Sequence, residues 1–247
     1  MSVADSYSIA VLPGDGIGPE VTAPCLTLLD IVAARHGFSL YYKQITAGAQ
    51  CYLDTGESIS EESFAASAAC DAILLGAMGL PHVRYPSGTE VVPQIELREH
   101  FQLYAGVRPI RTQGGFSPVL SDARGGELDA VLIRESTEGL FAARGKTQLD
   151  GDEAAHDTMT ITRATSEKLF DFAFELARQR KAEGKPGKVT LIDKANVLGA
   201  LAFMRKVFLE RAEAYPDIEV ECAYVDAMAL NLVKRPWDYD VMVTENM

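Results

Sequence analysis

Short, continuous apolar runs alternate with segments in which apolar residues recur every three or four positions. The first pattern predicts buried strands and the second predicts helices. Strands are predicted at residues 8–12, 38–44, 71–76, 128–134, 188–192, 219–225 and 239–243. Helices are predicted from about Pro19, over residues 60–69, after Thr162 and over residues 200–214. Strands that alternate with helices indicate a parallel sheet covered by helices, so the predicted fold class is α/β.

Three local patterns refine this picture. Val21, Leu28 and Val32 lie at helical spacing and indicate an apolar face on the first helix. Thr162 precedes a long amphipathic segment and is a predicted N-cap. Residues 141–162 are rich in Gly, Asp and Thr, which favours a projecting hairpin or arm over a core element.

A glycine cluster follows the first predicted strand. Gly14, Gly16 and Gly18 stand between that strand and the first helix. Backbone N–H groups there can face a phosphate or a carboxylate. The spacing differs from the Gly-x-Gly-x-x-Gly dinucleotide fingerprint, and no acidic strand end follows at the expected distance. A tight turn and a ligand loop are therefore about equally good interpretations.

Arginines and polar strand ends are the candidate chemical groups. Arg98, Arg108 and Arg134 can each grip a carboxylate with two hydrogen bonds, so together they suit a di- or tricarboxylate. For any one arginine alone, an ion pair with a nearby glutamate (Glu96, Glu99 or Glu135) is the simpler explanation.

The other candidates follow predicted strands. Lys194 and Asn196 come after the strand at 188–192, where open α/β sheets bind ligands. A lysine there can act as a general base or orient a water. Asp226 comes after the strand at 219–225 and suits a hard cation. Taken singly, a solvated lysine and a helix-capping aspartate are the simpler readings.

Composition excludes some partners. The 247 residues carry a formal charge of −12, which disfavours nucleic acid and anionic membrane surfaces. No apolar run approaches the roughly 20 residues needed to span a bilayer. The four cysteines show neither paired nor metal-binding spacing, and no secretory signal is evident, so we expect a cytoplasmic protein with reduced thiols.

The order of several motifs resembles one family: the metal-dependent decarboxylating β-hydroxyacid dehydrogenases, which act on isocitrate, 3-isopropylmalate, homoisocitrate and tartrate or D-malate. The matching segments are residues 12–20, 74–77, 97–98 with 104–109, 134–139, 193–197 and 224–228. The resemblance implies an isopropylmalate dehydrogenase-like fold with parallel or mixed sheets. Residues 1–103 would begin a large domain. Residues 104–247 would form a small domain with a dimerisation arm around 141–162.

The resemblance also assigns roles. It implies NAD, with NADP not excluded, and Mg²⁺ or Mn²⁺ as cofactors. Lys194 and Asp226 would be catalytic and would come from the second subunit of a homodimer, with Asp226 also binding the metal. The substrate would contact Arg98, Arg108, Arg134, Gln94 and Asn196, and the nicotinamide would lie near Ile17, Gly76 and Ala77. The implied reaction is oxidation of a malate-type 2-hydroxy acid followed by loss of CO₂.

Three departures leave alternatives open. Phe141 stands where the family usually has a proton-donating tyrosine, so either water or another group protonates the product or oxidation without decarboxylation dominates. Val92 and Gln94 fit neither the isopropylmalate nor the isocitrate pattern, so tartrate or D-malate is an equal candidate. Family members continue with further metal carboxylates and an adenosine-binding loop, so we expect the large domain to be incomplete here. A non-catalytic, dimerising subunit is the remaining alternative.

Overall fold

The computed structural model describes residues 6–113 and 120–246, and the chain divides into two compact units, Met1–Phe101 and Gln102–Met247. The predicted domains 1–103 and 104–247 include residues 1–5, 114–119 and 247, which lie outside the described ranges. We describe the N-terminal unit and the C-terminal unit separately.

The N-terminal unit contains a three-stranded parallel sheet. Its strands are β1 (Ser6–Gly14), β2 (Ser39–Gln44) and β3 (Ala72–Ala77), in the order β2-β1-β3. Its helices are α1 (Gly18–His36), α2 (Ala49–Thr55), α3 (Glu61–Ala68) and α4 (Pro93–Phe101). Leu12, Phe64 and Leu97 are buried in one cluster that joins β1 to α3 and α4. The central strand is therefore fixed by burial on the sheet face that these helices cover.

Helix α1 begins with Pro19 in its first turn and ends at Gly37, whose φ of 76° is left-handed. Its buried residues are small: Gly18, Thr22 and Ala33. On the predicted apolar face, Cys25 and Leu29 are half-buried, whereas Val21, Leu28 and Val32 are 46%, 63% and 45% exposed. Helical spacing identifies an apolar stripe but not the element that covers it.

The C-terminal unit is built on a five-stranded mixed sheet in the order β4-β5-β10-β8-β9. Strand β4 (Ala105–Arg111) is antiparallel to its neighbour, and the other four strands are parallel. Those four are β5 (Asp129–Glu135), β8 (Lys188–Asp193), β9 (Glu219–Tyr224) and β10 (Val241–Thr244). The helices are α5 (Arg163–Ala182), α6 (Gly199–Ala212) and α7 (Val225–Lys234), with 3₁₀ turns at Ala123–Glu127, Phe141–Ala143 and Pro236–Asp238. The predicted α/β class is confirmed.

Helices α5 and α6 pack against each other through aromatic rings, which lie in one buried cluster with residues of this sheet. Phe174 stacks on Phe208 with ring centroids 5.3 Å apart, and Phe170 meets Phe208 edge-on at 5.1 Å. The predicted N-cap is confirmed, since the Thr162 hydroxyl accepts a hydrogen bond from the N–H of Thr165 at 3.3 Å. The helix thus starts where its sequence predicts, with its apolar face on the core.

The predicted arm contains a short antiparallel hairpin. Strand β6 (Gln148–Asp150) pairs with β7 (Ala154–His156), and Leu149 is 72% exposed. The hairpin prediction is therefore confirmed for this segment. In the described ranges, no helix combines the length and the apolar composition that crossing a bilayer requires.

Candidate functional site

The carboxyl ends of four parallel strands form one edge of the sheet in the C-terminal unit. Following the strand order from β5 to β9, this edge carries Arg134, Asn246, Lys194 and Asp226. Arg134 is near the end of β5, Asn246 follows β10, Lys194 follows β8 and Asp226 lies just past β9. Open α/β sheets bind ligands at this edge.

Lys194 and Asp226 form a direct ion pair. The Nζ atom of Lys194 lies 2.6 Å from Oδ1 of Asp226, in the first turn of α7. The lysine side chain is 31% exposed and the aspartate side chain 69%. The hydrogen bond from the ammonium lowers the pKa of Asp226 below its usual range. The pair thus presents a charged, solvent-accessible group at the end of the sheet.

The turn that carries Lys194 is fixed by the residue before it. Asp193 is buried, and Oδ1 accepts hydrogen bonds from the N–H of Ala195 at 2.9 Å and from Arg205 at 2.6 Å. Its other oxygen accepts from Nε of Arg205 at 2.8 Å. Asn196 lies exposed in the same turn, between β8 and α6. Lys194 and Asn196 are thus held on one short, anchored turn.

Arg108 and Arg134 lie on the same face of adjacent strands. In the antiparallel pairing, Arg108 is opposite Leu132 and Arg134 is opposite Gly106. Residues in this diagonal relation have their Cα atoms about 7–8 Å apart, within reach of long side chains. The guanidinium of Arg134 donates to Oδ1 of Asn246 at 2.7 Å and lies 5.2 Å from the centre of the Phe141 ring.

In the N-terminal unit, helix α4 carries Gln94 and Arg98, which are four residues apart and therefore on one helix face. The Oε1 atom of Gln94 is buried and has no hydrogen-bond partner among the described residues. An unsatisfied buried acceptor costs about 1–3 kcal/mol. Gln94 therefore offers an acceptor that a ligand donor would satisfy.

The one carboxylate in the glycine loop at residues 14–18 is hydrogen-bonded to other parts of the N-terminal unit. Asp15 is buried, and its carboxylate accepts hydrogen bonds from the N–H groups of Ala49 at 2.7 Å, Gln50 at 2.9 Å and Gly79 at 2.8 Å. It thereby caps helix α2 from another part of the chain. Of the two interpretations of this cluster, the packing favours a tight structural turn. Ile17, at 59% exposure, is the side chain that the loop offers to a ligand.

The end of β3 is pressed against this loop. The carbonyl oxygen of Ala77 accepts from the N–H of Asp15 at 2.8 Å. A Cβ at Gly76 would lie 2.1 Å from the Pro13 carbonyl oxygen, so only glycine fits there. The loop that carries Ile17 therefore lies directly against Gly76 and Ala77 through backbone atoms.

The described residues do not form a metal centre on their own. No group of three or more His, Cys, Asp or Glu side chains with suitable placement occurs in residues 6–113 and 120–246. Asp226 supplies one carboxylate, and that carboxylate is paired with Lys194. The role of Asp226 as a metal ligand stays a prediction.

The sequence patterns did not identify two residues of these sites as candidates. Asp15 stands inside the glycine cluster and was not considered, because nothing local shows which distant N–H groups it will meet. Asn246 follows a predicted strand, the same signal that identified Lys194 and Asp226. That signal was sufficient to find Asn246.

Comparison with known proteins gives a consistent result. The family model described as isocitrate/isopropylmalate dehydrogenase matches residues 8–247. A 3-isopropylmalate dehydrogenase from Vibrio parahaemolyticus is 37% identical over 250 residues, covering 98% of this chain and 68% of that protein. One from Desulfotalea psychrophila is 36% identical, with 97% and 68% covered. The chain thus spans about two thirds of the length of these relatives.

Solved structures of similar fold include an isocitrate dehydrogenase from Methylococcus capsulatus, with a TM-score of 0.82, 30% identity, and coverage of 98% of this chain and 67% of that one. A β-decarboxylating dehydrogenase from Thermococcus kodakarensis, in its apo form, has a TM-score of 0.73 and 30% identity, with 97% and 64% covered.

Proposed function

Since the chain belongs to the isocitrate/isopropylmalate dehydrogenase family, whose members are NAD-dependent decarboxylating dehydrogenases, we propose that it acts in the oxidative decarboxylation of 3-isopropylmalate. The observation that carries this proposal is the sheet edge of the C-terminal unit. There, Arg108 and Arg134 share one face, and the Lys194–Asp226 pair lies on the same row of strand ends. Each chain thus carries both sets of residues, and the homodimer proposed below would combine the arginines of one subunit with the pair of the other.

Each residue has a role that its geometry allows. Arg108 and Arg134, together with Arg98 on α4, would bind the substrate carboxylates. Lys194, as the neutral amine, would accept the proton of the reacting hydroxyl, and Asp226 would stabilise the ammonium that results. Asn196, on the same turn as Lys194, would bind the substrate. As the hydroxyl loses its proton, the adjacent C–H bond gives up a hydride and a carbonyl forms.

NAD, when bound, supplies the hydride acceptor. Ile17 would offer an apolar contact to its nicotinamide, beside Gly76 and Ala77. After oxidation, the C–C bond to the β-carboxyl group breaks, CO₂ leaves and the remaining carbon takes up a proton. Phe141 lies beside Arg134 and has no proton to donate, so that proton comes from water in this proposal.

The assembly proposed for this site is a homodimer. The β6–β7 hairpin, with its exposed Leu149, would be the arm that contacts the second subunit. Lys194 and Asp226 of one subunit would then complete the site of the other. Sedimentation equilibrium with Leu149→Ser tests this: the variant should dissociate at protein concentrations where the unmodified chain remains a dimer.

One observation favours a second candidate substrate. The orphan Oε1 atom of Gln94 would be satisfied by a hydroxyl group on the substrate and not by an isopropyl group. Tartrate, which carries such a hydroxyl, is therefore the alternative to 3-isopropylmalate. Gln94→Leu separates the two: it should weaken the use of tartrate and leave 3-isopropylmalate unchanged or improved.

Activity assays test the whole proposal. The protein is incubated with 3-isopropylmalate, tartrate, D-malate or isocitrate, with Mn²⁺ and either NAD⁺ or NADP⁺, and reduced cofactor and CO₂ are measured separately. Equal amounts of both products support oxidative decarboxylation. Reduced cofactor without CO₂ would reject decarboxylation and leave oxidation. If no substrate gives product or stabilises the protein against heat, the proposed function is wrong.

A matched pair of variants tests the arginine site. Arg108→Gln should raise KM for the hydroxy acid roughly 10-fold or more, as expected when a bond to a charged group is lost. Arg111→Gln changes an arginine on the same strand that points to the opposite face and pairs with Asp129. It should leave KM unchanged; equal effects of both variants would argue against a specific site.

A further inference from the structure

Asn246 is a buried polar side chain at the sheet edge that the assignments above leave without a role. It is 1% exposed. Its Oδ1 atom accepts from Arg134 at 2.7 Å, and its Nδ2 atom donates to the carbonyl oxygen of Glu138 at 3.0 Å. Its backbone carbonyl oxygen accepts from the N–H of Leu140 at 3.2 Å. One residue therefore connects the end of β10 to Arg134 and to the loop that follows β5.

The loop is shaped for this approach. Gly139 has a φ of +72°, and a Cβ there would lie 2.1 Å from the carbonyl oxygen of Asn246. A side chain at position 139 would push the loop away from Asn246. The N–H of Gly139 also donates to the carbonyl oxygen of Thr160 at 2.8 Å. Glycine at this position therefore keeps Asn246 and the loop in contact.

The chemistry of the contact with Arg134 is specific. An amide oxygen fixes the direction of a guanidinium group but does not cancel its charge, whereas a carboxylate would do both. A guanidinium that binds an anionic substrate needs a fixed orientation and a retained charge. An asparagine supplies the first requirement without removing the second.

We propose that Asn246 is a positioning residue that holds the Arg134 guanidinium in the direction of a substrate carboxylate. This inference rests on the proposed function, because Arg134 is there a substrate-binding residue. Asn246 acts through Arg134 and need not touch the substrate. The loop contacts through Glu138 and Leu140 hold Asn246 itself in place.

Three variants separate positioning from a purely structural role. Asn246→Ala removes the Oδ1 atom to which Arg134 donates. Asn246→Asp keeps an acceptor of the same size but adds a negative charge, and it carries the test if the alanine variant does not fold. Thr244→Val is the matched control. Thr244 is the strand neighbour of Arg134, but its hydroxyl donates to the Ile192 carbonyl at 3.0 Å, so this variant perturbs the surroundings of Arg134 while the Asn246 acceptor stays in place.

The first readout is kinetic. Asn246→Ala should raise KM for the hydroxy acid that the unmodified protein oxidises by roughly 10-fold, with a smaller change in kcat. Asn246→Asp should raise KM at neutral pH by at least as much, because its carboxylate competes with the substrate for Arg134. Thr244→Val should leave KM unchanged. Folded Asn246 variants with unchanged KM would overturn the inference.

The second readout does not need substrate. The rate at which phenylglyoxal modifies Arg134 is followed by peptide mass spectrometry in each folded variant. Modification should be faster in Asn246→Ala than in the unmodified protein and unchanged in Thr244→Val. Equal rates in all proteins would overturn the inference even where KM changes.

The two readouts also separate this inference from the proposed function. If the unmodified protein binds none of the four hydroxy acids, the proposed function fails. The claim that Arg134 is directed at a substrate carboxylate then fails as well. The labelling rates then still decide whether Asn246 orients the guanidinium. If the unmodified protein binds one of them and Asn246→Ala binds it equally well, only the inference about Asn246 fails.

Discussion

The two units present candidate sites of different construction. In the N-terminal unit, the candidate site around Ile17, Gly76 and Ala77 is made by backbone atoms in close contact. The Asp15 carboxylate there accepts hydrogen bonds from three backbone N–H groups of the protein. In the C-terminal unit, the sheet edge is made by charged side chains, and the Lys194–Asp226 pair is accessible to solvent. The first site depends on shape and the second on charge.

This difference predicts how each site responds to substitution. A backbone-built site loses stability when an atom is added, because close-packed interiors have no room for it. An exposed pair of charges contributes little to stability, so its substitution should change chemistry and leave the fold intact. The predictions below test this contrast within each unit.

The largest effect is expected for Gly76→Ala. The added Cβ would lie 2.1 Å from the Pro13 carbonyl oxygen and 2.9 Å from the Thr22 hydroxyl, so the loop and β3 must separate. We expect a loss of about 3 kcal/mol, the upper end of the usual cost of overpacking. Urea unfolding followed by far-UV circular dichroism measures it.

Gly37→Ala is the control for that substitution. Gly37 has a φ of +76° but nothing within 4 Å of an added Cβ, so only backbone strain opposes the change. That strain costs about 1 kcal/mol. If both variants lose the same stability, close packing is not the reason that Gly76 is needed.

A smaller effect is expected for Asp15→Asn. In the native protein, Oδ2 accepts from Ala49 and Gly79 while Oδ1 accepts from Gln50. An asparagine side chain has only one oxygen, and its NH₂ group would face an N–H donor and leave that donor without an acceptor. The expected loss is about 2 kcal/mol, since hydrogen bonds to a buried charged group are among the stronger ones. The same unfolding measurement applies.

Asp71→Asn provides a comparison in the same unit. Asp71 also accepts two hydrogen bonds, from the N–H and the hydroxyl of Ser8, each at 2.7 Å, but it is exposed. Water can replace those bonds, so this variant should lose clearly less stability than Asp15→Asn. A larger loss for Asp71→Asn would contradict the view that burial makes Asp15 important.

Sequence patterns predicted the sheets and most helices because buried strands and amphipathic helices leave local signals. The N-cap Thr162 was found since capping acts over three residues. Helices α2, α4 and α7 were not predicted. Helix α2 has only seven residues, and its N-terminus is capped by Asp15 from 34 residues earlier in the chain. Strand β9 also ends at Tyr224, because Val225 begins α7.

Two site residues were predicted from their position after parallel strands, because the carboxyl ends of such strands lie on one edge of the sheet. Lys194 and Asp226 lie 2.6 Å apart although 32 residues separate them, because parallel neighbouring strands place their ends together. The pairing of Arg134 with Asn246 across 112 residues was not predicted, since it depends on β10 lying beside β5. Strand order is a tertiary property, and the alternation of strands and helices leaves that order open.

The smallest effect on stability is expected for Lys194→Met, which should instead change a pKa. The ammonium of Lys194 lowers the pKa of Asp226, so the stabilisation is present above the ordinary pKa of about 4 and is lost as the pH falls through the lowered value. Without Lys194, the pKa of Asp226 should rise towards its ordinary value while stability at neutral pH hardly changes. A ¹³C NMR titration of the Asp226 carboxyl carbon measures the pKa. Lys206→Met, which removes one cation beside Glu210 on α6, should leave the pKa of Asp226 unchanged. An Asp226 that titrates identically with and without Lys194 would show that the two charges do not interact.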